Sequence, residues 1–309
     1  MRILFQLFLN GSRQSILLKV ILTDCPNGGM ALKPTVARYA LAGPGPLLTQ
    51  TILLTDRVHR ALVELSDGSA VFTGCDELHR PLRGHEHAHI FCESNPRQGQ
   101  QAGGEITEIS IYAPMGFDSE DEAALQKLKE IYDDQGASTS LVLLGLGQPA
   151  ELGSTSPLFS RSRSWISHTP FLPTRHPKAT RAGVPKVDST GFQIGSPEHE
   201  LLRLLGLAGF PEPDMIERVG HTRLGERDVP WDAFVRRRGA DERRPAANGA
   251  GYGFRIVFAE AVQGPVAVGY GGHFGMGGFE GESDCAVQNH HKASFVLGEI
   301  TDMERSRWA

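Results

Sequence analysis

Paired cysteines are missing from this chain. Its four, Cys25, Cys75, Cys92 and Cys285, lie far apart in 309 residues. Such spacing excludes a disulfide framework and a zinc knuckle and fits a reducing compartment, so a cytoplasmic location is expected. Long apolar runs are missing too. The opening MRILFQLFLNGSRQSILLKVILTDC is broken by Asn10, Gly11, Ser12 and Arg13. No stretch reaches the ~18 apolar residues that a membrane span requires, so no membrane partner is expected. A short n-region and a weak cleavage site argue against a signal peptide. Surplus positive charge is also absent: Lys+Arg 31 against Asp+Glu 36 gives a net charge of -5. A polyanion would therefore have to be met by a local patch rather than by the average surface.

What is present is glycine and proline, 36 and 19 residues, with 40% apolar residues. That composition favours a turn-rich protein with a substantial core over a helical bundle. The length accommodates one large domain or two of roughly 150 residues.

Periodicity between residues 35 and 148 is regular. TVARYAL (35–41) predicts a strand and TDRVHRALVEL (55–65) a helix, with Val58, Ala61, Leu62 and Leu65 at helical spacing and Thr55 as its N-cap. HEHAHIFC (85–92) and ITEISIYAP (106–114) predict strands. EDEAALQKLKEIY (120–132) predicts a helix with Ala124, Leu125, Leu128 and Ile131 on its apolar stripe and acids in its first turn, and TSLVLLGLG (139–147) a buried strand. The order β-α-β-β-α-β is the ferredoxin-like one. A linker rich in Ser, Pro and Arg follows at 151–164. A second, modified copy is then expected: strand 165–173, helix 197–210, strands 215–220 and 252–260, a polar excursion at 229–249 anchored by Trp231, and GPVAVGY (264–270) running into a glycine-rich loop. The expected divisions are a leader at 1–34, units at 35–150 and 165–280, and an irregular tail at 281–309.

Four constellations carry chemistry. GHEHAHIFCE (84–93) sets His85, His87 and His89 at alternate positions. On a strand they share one face, with Cβ atoms about 6.5–7 Å apart per step. Zinc–nitrogen distances near ~2.0 Å make convergence of all three on one ion awkward. The alternatives are a polar groove face, a metal site completed from elsewhere, and one histidine in proton transfer with the others orienting it. The second constellation is a basic island. No acidic residue occurs from Arg161 through Val187, and Arg161, Arg163, His168, Arg175, His176, Lys178, Arg181 and Lys186 fall within it. Pro170, Pro173 and Pro177 restrict the loop, which suits phosphate contacts. A third group, Arg236, Arg237, Arg238, Arg243 and Arg244, is diluted by acids. The fourth is GYGGHFGMGGF (269–279), whose glycines permit positive φ and close approach to a polyanion through N–H groups. It lacks the Lys-Ser/Thr pair of a P-loop and the setting of a dinucleotide fingerprint.

The ordered set ARYALAG, DRVHRAL, TGCDELHRPLRGHEHAHIF, ISIYAPMGF, WISHTPFLPTRHPK, GFPEP and GPVAVGYGGHFGMGGF closely resembles one CRISPR-associated family. It is the type I-G (formerly I-U) fusion protein of the repeat-associated mysterious protein (RAMP) superfamily, in its repeat-processing portion. The resemblance covers about residues 35–279. It implies an α+β fold of tandem ferredoxin-like (RAMP/RRM-like) domains with a C-terminal glycine-rich loop. It implies binding of CRISPR repeat RNA and its metal-independent cleavage, by 2′-OH attack, to a 2′,3′-cyclic phosphate and a 5′-OH. No cofactor is implied, and other type I effector subunits are the expected partners. Relatives carry a further backbone-type module ahead of this portion, which the leader does not match.

Internal attack by a 2′-OH requires a base near neutrality, a cation for the phosphate and an acid for the leaving oxygen. His85 or His87 is the expected base or acid with His176 its complement, and Arg175 and Lys178 the phosphate ligands. Further RNA contacts are expected from His89, Arg161, Arg163, His168, Arg181, Gly271, Gly272, His273, Gly275 and Gly277. A subunit that holds the RNA without cutting it, and a zinc protein, are the competing readings.

Overall fold

The computed structural model describes residues 32–95, 103–238 and 249–282, together with the backbone of two paired strands near the N-terminus. Those two, β1 (Arg2–Phe8) and β2 (Leu17–Thr23), pair antiparallel and belong to neither main sheet. The expected tail and the cations Arg243 and Arg244 lie outside the described residues.

The first sheet contains β3 (Val36–Ala42), β4 (His89–Glu93), β5 (Glu108–Tyr112), β6 (Glu130–Tyr132) and β7 (Ser138–Gly147) in the order β4-β5-β3-β7-β6, all pairs antiparallel. Between β3 and β4 runs α1 (Thr51–Leu65), followed by the single turn α2 (Ala70–Thr73); α3 (Ser119–Lys127) follows β5. Without the short edge strand β6 this is the ferredoxin-like arrangement.

Two helix boundaries differ from expectation. α1 begins four residues before Thr55, because Thr51, Ile52 and Leu54 extend the buried stripe that continues through Val58 and Leu62. Thr55 is therefore interior, and its hydroxyl lies 3.0 Å from the Thr51 carbonyl, as that of a buried threonine in a helix can. α3 stops at Lys127, and Ile131 turns into β6 to pair with Thr139. Leu128 and Ile131 are buried either way, so their spacing could not separate helix from strand. The start of α3 is as expected: Asp118 caps it reciprocally with Asp121, and Glu120, Asp121 and Glu122 occupy the first turn.

After α4 (Pro149–Leu152), the second sheet is built from β8 (Arg161–Ser167), β9 (Met215–Val219), β12 (Gly253–Gln263), β13 (Val266–Ala267) and β14 (Gly278–Gly281), in the order β13-β14-β8-β12-β9. α5 (Pro197–Leu207) connects β8 to β9, and the hairpin β10 (His221–Leu224) and β11 (Arg227–Pro230) precedes β12. The order β14-β8-β12-β9 repeats that of the first sheet, so the fold is α+β with tandem ferredoxin-like units. The second helix of this copy is replaced by the glycine-rich loop with one short helical turn at Gly272–Phe274. Glycine costs roughly 1 kcal/mol per residue against alanine in a helix, which is why that segment does not close into one.

Residues 153–160 are not a free linker. They lie over the face of the first sheet opposite its helices: Leu158 and Phe159 pack with Val36 and Phe91. On the same face Arg38 reaches Glu108 at 2.5 Å and Glu93 at 3.4 Å, while Ser156 donates to Glu93 at 2.6 Å. β8 also starts earlier than expected, at Arg161, because Ser162 and Ser164 are buried at alternate positions ahead of the buried Trp165. Trp231 is buried in the first unit's core and donates its indole N–H to the Val219 carbonyl, so it anchors the excursion as expected. No helix among the described residues is long and apolar enough to cross a membrane.

Candidate functional site

β4 begins at His89, directly opposite Tyr112 at the end of β5. Pro114, two residues on, has no N–H to continue the ladder. His85 and His87 therefore lie in the bends leading into β4, not on a strand covering 85–92 as expected. Leaving the pleat lets these rings turn toward a common point instead of standing in a row.

The residue they meet is His273, from the glycine-rich loop of the second unit. Its ring lies 3.8 Å from that of His87 at 11° and 3.9 Å from that of His89 at 34°. Its Nδ1 is 3.1 Å from the Ala88 carbonyl and its Nε2 is 3.0 Å from His85 Nδ1. A carbonyl only accepts, so His273 Nδ1 carries the hydrogen and Nε2 is the acceptor. His85 Nδ1–H must then be the donor, and its other nitrogen, on an exposed side chain, is left with a lone pair. His89 Nε2–H likewise donates to the His85 carbonyl at 3.1 Å. Buried Nδ1 atoms of His87 and His89 have no hydrogen-bond partner among the described residues.

The loop reaches this position through α1. The Thr55 hydroxyl sits 2.9 Å from the Phe274 carbonyl, and Phe274 meets His59 edge-on at 5.2 Å. Gly275 makes the closest approach: at φ 76° it leaves no room for a Cβ, which would stand 2.8 Å from both the Ile90 carbonyl oxygen and Thr51 Cγ2. Arg238, from the third basic group, covers the Phe274 ring at 4.3 Å.

Burial keeps the inner rings uncharged. Desolvation is the main cause at each, followed by the neighbouring imidazoles at His273, which falls to about 2. His89 falls to about 4 through burial, partly opposed by its bond to the His85 carbonyl. His87 and His59 are lowered too, again chiefly by burial. An imidazole lowered in the folded state binds protons sooner when unfolded. Stability is therefore full above the unfolded value near ~6.5 and falls as pH drops below it. His89→Asn, which cannot titrate, is expected to lose about 1–2 kcal/mol less stability than the parent between pH 7 and pH 5. Urea unfolding at the two pH values measures this, and equal losses in both proteins would refute it.

His168, an expected RNA contact, is instead a buried bridge between the units. Its Nδ1 pairs with Glu280 at 2.9 Å and its Nε2 with the Cys92 carbonyl at 3.0 Å, which leaves no ring nitrogen for a ligand. Burial pushes its pKa down, but the Glu280 charge and hydrogen bond outweigh burial and the net shift is upward.

The glycine-rich loop is likewise not an open anion cradle. Amides of Tyr270, Gly272, Phe274, Gly275, Met276 and Gly277 all donate to carbonyls of the second unit. Gly271 packs against Met276, and the backbone at Gly277 lies hard against Val268. The glycines serve docking, and the polyanion contacts expected of Gly271, Gly272, Gly275 and Gly277 have few free donors to use.

The basic island divides. Arg161 and Arg163 are exposed on β8, and their guanidinium groups donate to the Ala261 and Phe258 carbonyls of β12. Arg175, His176, Lys178 and Arg181 lie on the exposed stretch 174–187, where Arg175 stands 3.8 Å from the buried Glu200. Among the described residues no hydrogen bond, ion pair or ring contact joins His176 to the histidine cluster. The two are not brought together.

Two residues escaped the sequence reading. His59 lies within the predicted helix 55–65 but outside its apolar positions Val58, Ala61, Leu62 and Leu65. Arg83 is exposed two residues before His85 and has no carboxylate partner among the described residues. Two peptide units span at most about 7.6 Å between their Cα atoms, so the exposed Arg83 side chain starts within that distance of His85 along the chain. Its signal was present in RGHEHAH, as a basic residue adjoining the histidines.

Among the described residues no group of three or more histidine, cysteine, aspartate or glutamate side chains is placed to hold a metal ion. The stacked His87 and His273 rings explain why: their lone pairs lie in the ring planes and run side by side instead of converging.

No protein-family model matches the chain, and no curated protein matches it. Solved structures similar over most of its length include the following three. A CRISPR-associated protein Cas6 is 8% identical with a TM-score of 0.36, covering 81% of this chain and 99% of that one. A Cas6 product complex is 13% identical with a TM-score of 0.30, covering 79% and 97%. A Thermus thermophilus Cas6 is 15% identical with a TM-score of 0.27, covering 81% and 98%. Similarity at these scores carries no conclusion about chemistry.

Proposed function

We propose that this protein binds CRISPR repeat RNA and cleaves it without a metal, in a type I system, with His85 as the general base. The units that hold the RNA are assigned to residues 35–150 and 165–280. The observation that carries the reading is the exposed His85 with its Nδ1 3.0 Å from His273 Nε2, from which the tautomer with an outward Nε2 lone pair is inferred. That atom takes the proton of the 2′-OH as the oxygen attacks the adjacent phosphorus, giving a 2′,3′-cyclic phosphate. Arg83 faces the charge that builds on the phosphate, and the 5′ oxygen leaves as a hydroxyl after protonation by water. The exposed cations Lys178 and Arg181 hold more distant phosphates in a salt-dependent way. The processed guide then remains with other effector subunits.

Incubation of the full chain with cognate repeat RNA in EDTA tests this. A single cut leaving a cyclic phosphate and a 5′-OH is expected. A gel shift without product identifies a binding subunit instead, and cleavage only after added divalent metal rejects the mechanism.

A further inference from the structure

We propose that His273 is the positioning residue that makes His85 a base, so that the second unit completes a site whose reacting group stands on the first. The proposal rests on the reading of His85 given above, and it adds a second residue and an assembly requirement.

His273 must do two things at once: donate at Nδ1 to the fixed Ala88 carbonyl and accept at Nε2 from His85. A neutral imidazole does both in one rigid plane. Its freedom is small, since the ring is stacked on His87 and lies against His89. The backbone that follows it is also held, by the Gly275 approach to Ile90 and by the Thr55 hydroxyl on the Phe274 carbonyl. The hydrogen bond that one ring nitrogen makes sets the tautomer of the other. Without an acceptor at its Nδ1, the exposed His85 ring would turn freely and favour the Nε2–H form of a free imidazole. Its outward nitrogen would then be a donor, unable to take the 2′-OH proton. The base is thus competent only while the glycine-rich loop is docked. The groups facing His273 are His85, His87 and His89 from the first unit, with His59 beyond Phe274.

The test compares His273→Ala, His273→Asn and His273→Gln in the full chain. Asparagine places an amide where Nδ1 was, keeping the donor to Ala88 but offering His85 nothing. Glutamine places its amide oxygen where Nε2 was, as an acceptor for His85. Single-turnover cleavage is expected to slow at least about tenfold in the alanine and asparagine variants, with RNA affinity within about twofold of the parent. The glutamine variant is expected to recover to within about threefold. A merely structural role, holding the loop to Ala88, predicts the reverse ranking, and that ranking overturns the proposal. ¹⁵N chemical shifts of the His85 ring supply a readout that does not depend on cleavage. The parent is expected in the Nδ1–H form and His273→Ala largely in the Nε2–H form. If the parent is not in the Nδ1–H form, the positioning role is wrong whatever the RNA does. If the tautomer shifts as expected but the parent cuts no repeat RNA, the positioning stands and the ribonuclease reading fails.

Discussion

His85→Ala is expected to slow cleavage of a cognate repeat RNA by about 10²–10⁴-fold, the range that a positioned general base contributes. The side chain is exposed and packs into no core, so its removal should leave folding and RNA affinity close to the parent. The loss should therefore appear in the single-turnover rate at saturating protein and not in the concentration of half-saturation. An interaction made only in the transition state has that signature. His176→Ala provides the contrast. It lies on the exposed loop at 174–187 without contact to the cluster, so its removal should weaken binding modestly and change the rate less than about threefold. A fall of under tenfold for His85→Ala, or a larger fall for His176→Ala, would return the chemistry to the basic loop.

The two variants also mark what the sequence made legible. Element order was readable because hydrophobic period changes along the chain: Val58 and Leu62 recur at helical spacing, whereas Ile109 and Ile111 alternate. The junction between the units was not. His85 and His273 are 188 positions apart, and no spacing rule links them; only the pairing of β14 with β8 and the docking of the loop on α1 bring them together. The alternation of His85, His87 and His89 pointed to a strand that in fact begins only at His89, since strand formation depends on a partner and β5 ends at Tyr112. Glycine richness was ambiguous for a related reason. A residue without a Cβ allows close approach to any backbone, and here that backbone is Ile90 of the same chain rather than a polyanion. Local density of basic residues likewise located a cationic surface but could not say that His168 turns inward to Glu280.

The largest expected effect on stability comes from the face that residues 153–160 cover. Arg38 and Glu93 are both buried there, with side-chain exposures of 6% and 1%. Glu93 accepts from Ser156 at 2.6 Å and Ser110 at 3.2 Å, and Arg38 also reaches Glu108 and the Thr155 hydroxyl. Burial raises the Glu93 pKa, and the Arg38 charge, with the Ser156 hydrogen bond, opposes that rise. Arg38→Ala removes the opposing charge and strands a carboxylate in a closed space, a change that costs about 3–5 kcal/mol for a buried pair. The pH dependence follows from the same cause. A carboxyl whose folded pKa is raised loses stability as pH rises through that value, and the variant raises it further. The penalty of Arg38→Ala should therefore be larger near pH 7.5 than at pH 5, because acid moves the raised Glu93 carboxyl toward its neutral form. Arg38→Met combined with Glu93→Leu removes both charges together, and is expected to cost at least about 1–2 kcal/mol less than the two single changes added. Urea unfolding of the parent, Arg38→Met, Glu93→Leu and their double variant measures the coupling, and the same measurement on Arg38→Ala at both pH values measures its penalty. Strict additivity, or an Arg38→Ala penalty that does not shrink in acid, would mean that the pair does not hold this face.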